Sequence, residues 1–505
     1  MRRTILLGLV AFVAGTAACA VGPGYRRPAL GVPQAWRRPA PVADTLRPFF
    51  DSLRTARDTL LPAGTDTARV PFAYDTTAKG AGADSAAALQ WLDLLQDAVL
   101  RQLVDTALQE NRDVRTALAV IAEYRAQYRA ARGALLPELS ANGRAGRNET
   151  VFGTFGSFTY NVYAATADLS WELDVWGRLR RSTSAARSDL VVREEDRRAL
   201  QLSLIGDVAT GYFDLRAADL NLAIARRTLD SRRQTLALAR RRLDQGLISE
   251  LDVRQFEADV ASPAASVADL ERQVAQQENA LSVLVGHNPG AIARGRSLTE
   301  MAARIPIPAG VPSALLANRP DVRSAEATLR AATARIGVAQ AAWLPTFTIT
   351  GQYGTQSTEF SRWFASGTNI WQAFVGVSIP LFKEGRPGAG EQVNVARARA
   401  SQARSRYEQT VLVALREVED ALVALRTAQD RTAAQERQAV ALRRALELAN
   451  MRYQTGVSSY LDVLDAQRGL FTAELSLTQA ERDQLVAAVQ LYRAVGAGWP
   501  AAATP

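Results

Sequence analysis

The chain has 505 residues, a length ordinary for two domains or for one elongated body. Apolar residues make up 48% of it, with Gly at 33 positions and Pro at 20, a composition that excludes wholesale disorder. The formal charge of +9 is nearly all arginine, Lys occurring only at Lys79 and Lys383. These arginines are interleaved with acids, as in Arg193-Glu194-Glu195-Asp196-Arg197-Arg198, so they read as solvated helix faces and not as a nucleic-acid surface.

The N-terminus reads as an export signal, assigned to residues 1–18. Arg2-Arg3 supplies the positive region, and the apolar run from Ile5 to Ala18 is too short to span a bilayer. Cys19, the only cysteine, follows Thr16-Ala17-Ala18, where cleavage falls. A cysteine at that place can receive a diacylglycerol thioether and become the lipidated first residue of the mature protein. Thr16 stands where a lipobox usually carries Leu; Ala20, rather than Asp, follows the cysteine, which by analogy with such lipoproteins favours the outer membrane. Residues 19–88 form a lipidated extension, and its stretch 40–88, rich in Asp, Thr, Ala and Pro, is assigned no function.

Residues 89–290 read as helix, strand, strand, long helix and returning helix. The strands fall at about 138–177, where Ala165, Ala167, Leu169, Trp171 and Leu173 alternate with Thr166, Asp168, Ser170 and Glu172. A period of two with an apolar and a polar face marks a strand between two different media. From Arg178 to Gln245 no proline intervenes, and Leu215, Leu222, Leu229, Leu236 and Leu243 recur at seven with Ala218, Ala225 and Ala239 three residues after their leucines. This is coiled-coil patterning, extending about 100 Å if unbroken. A hairpin tip follows at about 246–252, with Gly246 ending the helix through a positive φ. One His and one Cys exclude familiar zinc clusters, and His287 lies among turn formers in Gly286-His287-Asn288-Pro289-Gly290. No cofactor or metal is expected.

After a linker at 291–310, residues 311–497 repeat the plan, and 498–505 form a tail. Strands fall at about 345–384; Phe347, Ile349, Gly351 and Tyr353 share one face, while Trp371, Ala373, Val375 and Val377 alternate in the next run. Val411, Leu415, Val418, Leu422 and Leu425 step by four and three, and a second tip lies at about 456–462. The landmarks align in order. Gly246, Ser249, Leu251, Asp252 and Val253 match Gly456, Ser459, Leu461, Asp462 and Val463; Leu136-Pro137 matches Leu344-Pro345; Gly177-Arg178 matches Gly385-Arg386; Val285-Gly286 matches Val495-Gly496. The chain is a tandem duplication.

Four amphipathic strands cannot close a barrel, since the smallest membrane barrels use eight. An open edge in hydrocarbon leaves backbone groups unpaired at several kcal/mol each, and long two-faced helices also need neighbours. Subunits that share one barrel satisfy both demands.

The chain resembles the outer-membrane factor family, the TolC-like channels, and specifically its lipoprotein efflux branch. The resemblance rests on Cys19-Ala-Val21-Gly22-Pro23-Gly-Tyr25-Arg-Arg-Pro28, Asn111-Arg-Asp113-Val114, Trp171-Glu172-Leu173-Asp174-Val-Trp-Gly177-Arg178, Asn318-Arg319-Pro320-Asp321-Val322-Arg323 and Tyr453-Gln-Thr-Gly456 through Leu461-Asp462-Val463-Leu464-Asp465-Ala466-Gln467-Arg468. It implies an α+β membrane protein: a homotrimer whose protomers each give four strands and long coiled-coil helices to a twelve-stranded β-barrel joined to a twelve-helix α-barrel. It implies an outer-membrane location with lipid at Cys19, and docking through both tips onto a periplasmic adaptor and an inner-membrane pump. It also implies a periplasmic gate at Leu461 and Asp465, four apart on one helix face. The expected function is passive export of small molecules without catalysis. A type I protein secretion duct and a non-channel periplasmic coiled-coil lipoprotein are the alternatives; no constellation of catalytic groups supports an enzyme.

Overall fold

The structure, a computed structural model, describes residues 20–28, 97–151, 156–302, 319–381, 390–455 and 457–496. The signal peptide, Cys19, the 40–88 stretch, Asn318, Gly385-Arg386, Gly456 and the tail lie outside the described residues.

The elements follow in two parallel series. The first is α1 (Ala98–Glu110), α2 (Arg112–Gly133), β1 (Glu138–Val151), β2 (Ser157–Leu173), α3 (Arg178–Asp244) and α4 (Glu250–Val285). A short α5 (Leu298–Ala302) leads to α6 (Pro320–Ala341), β3 (Thr346–Ser357), β4 (Asn369–Ser378), α7 (Glu391–Gln454) and α8 (Tyr460–Val495). Lengths match across the series: α2 and α6 both have 22 residues, α3 has 67 against 64 for α7, and α4 and α8 both have 36. Gly286 and Gly496 end α4 and α8 alike, at φ +93° and +68°. Asn111 adds a break in the first helix that the sequence pattern does not show. Its Oδ1 accepts from the Asp113 and Val114 amides, and its Nδ2 donates to the Leu284 carbonyl.

The chain divides into two compact units, with α2, α3 and α7 contributing to both. One unit (Met1–Leu30, Arg115–Arg197, Pro320–Val411) holds an antiparallel sheet of order β1-β2-β3-β4. The strands have 14, 17, 12 and 10 residues, and β2 ends at Leu173 instead of running on to 177. Asp174 ends it by turning its carboxylate to the amides of Leu179 and Arg180, which starts α3. In register, Leu169 faces Leu139 and Gly351, Trp171 faces Ile349, and Tyr353 faces Trp371. One face of the sheet is therefore apolar, and it is uncovered: Tyr353 is 65% exposed and Trp371 77%. Among the described residues β1 and β4 each pair on one side only.

The segment after Cys19 is strapped onto this unit. The Val21 amide donates to the Trp176 carbonyl, and Arg181 donates to the carbonyls of Gly22 and Pro23. Gly22, at φ +112°, meets Gly337 of α6 so closely that a Cβ on Gly337 would lie 2.8 Å from the Val21 carbonyl oxygen. Farther along, buried Glu326 accepts from the Tyr25 hydroxyl at 3.0 Å and pairs with Arg27 at 3.1 Å and Arg330 at 2.5 Å.

The other unit (Gly31–Val114, Arg198–Arg319, Leu412–Pro505) is helical. Its core joins Leu100 and Val104 of α1, Tyr212 and Phe213 of α3, Leu281 of α4, Met301 of α5 and Leu485 of α8. Asp97 caps α1, and its carboxylate also accepts from the buried Tyr212 hydroxyl and from the Arg296 amide, which pins the loop that follows α4. The heptad seam of α7 departs from expectation. Val411, Ala414, Val418, Ala421 and Leu425 are buried, while Leu415 and Leu422 are only half-buried. The small alanines allow close helix approach, and the bulkier leucines flank the seam. In α3, Leu215, Leu229 and Leu236 are buried as the pattern requires, but Leu222 and Leu243 are half-buried.

Candidate functional site

The two hairpin tips lie in the helical unit and pack on one another. At the first, Gly246 takes φ +73°, and the Leu247 amide donates to the Arg242 carbonyl at 2.9 Å. That six-to-one bond is a Schellman close, and no side chain crowds Gly246, so the positive φ alone calls for glycine there. The second tip repeats the bond from the Val457 amide to the Arg452 carbonyl, also at 2.9 Å. The turns themselves are shorter than the ranges read from sequence, since α4 resumes at Glu250 and α8 at Tyr460.

The caps beyond the turns differ. Ser249 and Asp252 form a full capping box, the Ser249 amide donating to Asp252 Oδ2 at 2.9 Å and its hydroxyl at 2.8 Å. These hydrogen bonds from Ser249, side chain first and then backbone, hold the Asp252 carboxyl below its usual range. Ser459, at the matching place, makes no side-chain cap bond, and Asp462 beyond it is exposed.

Between the hairpins lies a cleft of about 340 Å³, lined in part by Arg242, Phe256, Tyr453, Tyr460, Leu461 and Leu464. The Phe256 and Tyr460 rings pack with centroids 4.3 Å apart, and burial pushes the Tyr460 phenol up to about 12. Two polar links cross the cleft. Arg242 donates to the Tyr453 hydroxyl at 2.5 Å with its guanidinium 5.3 Å from the ring centroid. Arg468 of α8 pairs with Asp259 of α4 at 2.7 Å. Asp259 also faces Arg232 of α3, whose Nη1 donates to the Asp259 backbone carbonyl at 2.8 Å; both side chains are buried. Desolvation, only partly offset by Asp259, pulls the Arg232 guanidinium below its ordinary pKa.

Around this latch several large apolar side chains are exposed. Leu247, Leu251 and Val457 are each about two-thirds exposed, at 67%, 67% and 68%. Leu461 is 58% exposed, Asp465 is exposed one turn further along α8, and Val463 and Leu464 between them point into the packing. The structure thus brings Gly246, Ser249, Leu251, Asp252, Ser459, Leu461, Asp462 and Asp465 to the tips of one hairpin pair. The latch of Arg232, Asp259 and Arg468 is absent from the sequence reading. Its signals were partial: Tyr453 of the neighbouring link opens the second-tip landmark and Arg468 closes it, whereas nothing singled out Arg232 or Asp259.

Among the described residues no helix is long and apolar enough to cross a membrane, and no group of His, Cys, Asp or Glu is arranged to hold a metal ion. The comparisons with known proteins agree with this geometry. Residues 103–287 and 311–497 match the outer membrane efflux protein family, one block for each series of elements. Over 412 residues the chain is 37% identical to the solvent efflux pump outer membrane protein SrpC of Pseudomonas putida, covering 81% of this chain and 87% of that one. It is 31% identical over 482 residues to the cation efflux system protein CusC of Escherichia coli, covering 95% and 96%. The open MtrE outer membrane channel of Neisseria gonorrhoeae superposes with a TM-score of 0.78 at 30% identity, covering 95% of this chain and 98% of that one. With the family matched across both duplicated halves and the fold shared with solved outer membrane channels, this chain belongs to the outer membrane efflux protein family.

Proposed function

We propose that three copies of this chain close one barrel and one helical tunnel, and that the assembly is the passive exit duct of a tripartite efflux system for small molecules. One observation carries the reading: a four-stranded sheet with an uncovered apolar face and an edge strand, β1 or β4, that at each side has no pairing partner among the described residues. In hydrocarbon such edges must be paired, and copies of the same sheet are the partners at hand. The repeats are taken as 89–290 and 311–497, and the duct catalyses no reaction.

Cys19 carries lipid in this reading and anchors the chain to the outer membrane. Support comes from the strap, which bonds Val21 to Trp176, close to where β2 gives way to α3. Lipid at Cys19 then enters the bilayer beside the strands. The tips face the periplasm and dock the adaptor through Leu247, Leu251 and Val457, whose exposed apolar surface asks for a partner. Leu461 and Asp465 line the gate. Three copies would stack an apolar ring on an anionic one, the first resisting wetting and the second favouring cations, while mutual repulsion of the carboxylates eases opening.

Planar-bilayer conductance of the purified oligomer tests the duct and its gate together. Leu461→Ala with Asp465→Ala should raise conductance and lower cation preference; an unchanged channel would rule out this gate. Cysteines at Ser249 or Ser459 should crosslink to the cognate adaptor in cells, and crosslinks only from the strand end would reverse the orientation. Intact mass should show three acyl chains on the mature N-terminus, and an unmodified Cys19 removes the anchor.

A further inference from the structure

The polar face of the sheet carries an ordered row of side chains that the gate does not involve. Thr166, Asp168, Ser170 and Glu172 of β2 lie on the face opposite Leu169 and Trp171. Register sets Asp168 opposite Ser140 of β1 and Gln352 of β3, sets Asn142 opposite Thr166, and sets Gln352 opposite Gln372 of β4. Hydrogen bonds join them across all four strands. Asn142 Nδ2 donates to Asp168 Oδ2 at 2.5 Å, and the Thr166 hydroxyl donates to the same oxygen at 3.1 Å. Gln352 Nε2 donates to Thr166 Oγ1 at 3.4 Å, and Gln372 donates to Gln352.

In this row Asp168 is the only ionisable group, and its bonded partners there are neutral amides and a hydroxyl. Of the other charges on the polar face, Glu138 of β1 comes nearest, opposite Ser170 and two residues along from Asp168, and it is of the same sign; the rest stand farther off. Glu172, four residues along β2, is held by two bonds from Arg178, at 3.1 and 2.6 Å. Arg144 pairs with Ala164, four residues from Asp168 in the other direction, which puts it about 13 Å away along the strand. A row that only held strands together would need no charge, and Asp is a poor strand former. Its carboxylate is neutralised by no neighbour in the row and is open to water.

We propose that Asp168, set in the row Asn142-Thr166-Gln352-Gln372, forms an anionic contact ring for cationic cargo inside the strand pore, separate from the ring at the hairpin tips. The proposal rests on the reading that three chains share one barrel, since threefold symmetry makes one carboxylate a ring of three. Inorganic cations and organic ammonium ions are the ligand class. Carboxylates exposed to water act over roughly 10 Å at 0.1 M salt, so the ring is effective at low ionic strength and is screened from Arg144 at the same time.

The test is single-channel recording of the purified full-length oligomer in 0.1 M KCl, in the Leu461→Ala/Asp465→Ala background that removes the tip ring. With Asp168 present the channel should still prefer K⁺ over Cl⁻ and be blocked by spermidine added from the strand side. Asp168→Asn, which preserves shape, should weaken that block by about fivefold, the effect expected for a trivalent cation losing a nearby screened charge. Asp168→Glu should retain it. Asp168→Cys supplies an independent arm: a sulfonate-bearing thiol reagent added from water should restore the cation preference, and an ammonium-bearing reagent should reverse it. A conducting channel whose selectivity and block ignore both Asp168→Asn and the charge of the thiol reagent overturns the ring alone. A thiol that reagents in water cannot reach does the same. Absence of any conductance step from the unsubstituted oligomer overturns the shared barrel and the ring with it.

Discussion

Two substitutions in one latch should differ sharply, though both break the same ion pair. Asp259 stands between Arg468, whose side chain is 56% exposed, and Arg232, whose side chain is 6% exposed. Arg468→Ala removes a half-solvated partner, leaves Asp259 facing Arg232, and should cost about 0.2–1 kcal/mol. Asp259→Ala strips a buried guanidinium of its only carboxylate in the cluster and leaves it the backbone carbonyl of residue 259 alone. Orphaning a buried charge costs about 3–5 kcal/mol. The gap is at least about 2 kcal/mol, or roughly thirtyfold in the equilibrium for local opening. A chain of this size does not unfold in one step, so a global melting curve is the wrong measure. Amide hydrogen exchange over 250–262 and 460–470 reads the local equilibrium directly. Protection there should fall far more in Asp259→Ala than in Arg468→Ala, with Asp259→Asn between them because its amide oxygen can still accept from Arg468 and keeps a dipole facing Arg232. Equal losses of protection in the Asp259→Ala and Arg468→Ala proteins would show that Arg232 does not depend on the carboxylate, and the account of the latch would fail.

Other expectations follow from the same contacts. Glu481 of α8 is buried, accepts from the Thr299 hydroxyl at 3.1 Å and feels Glu436; burial, foremost, pushes its carboxyl above the usual range. A raised carboxyl favours the protonated fold, so its contribution is fully present below the ordinary carboxylate pKa and is lost as pH rises through the raised value. Glu481→Gln, neutral throughout, should therefore increase amide-exchange protection of α8 around residue 481 at about pH 8, and the advantage should vanish by about pH 4. Gly337→Ala drives a Cβ to 2.8 Å from the Val21 carbonyl oxygen; limited proteolysis should then cut residues 20–28 while the sheet stays intact. Ser249→Ala breaks the capping box and should speed exchange in the first turn of α4, whereas Ser459→Ala, with no cap bond to lose, should leave the first turn of α8 unchanged.

The periodic features were open to reading in the chain alone. A strand between two media must alternate, so β1 to β4 are visible from Leu169, Trp171, Tyr353, Trp371 and their neighbours. The hairpin turns announce themselves because a helix that doubles back needs a positive φ, and Gly246 supplies it. Duplication is visible because both halves solve the same packing problem with the same landmarks. The choice among equivalent apolar positions was not visible. Leu415 and Ala414 both suit a heptad, and only the helix packed alongside selects alanine for the seam and leaves leucine at its flank. Ser459 matches Ser249 in sequence, yet a cap depends on local backbone and side-chain geometry that one-letter identity does not carry. The latch was hidden for a further reason. Arg232, Asp259 and Arg468 lie on three helices far apart in the chain, and although Arg468 closes the second-tip landmark, among so many arginines and acids nothing in the sequence marks Arg232 and Asp259 as the two that packing takes out of water and brings within reach of it.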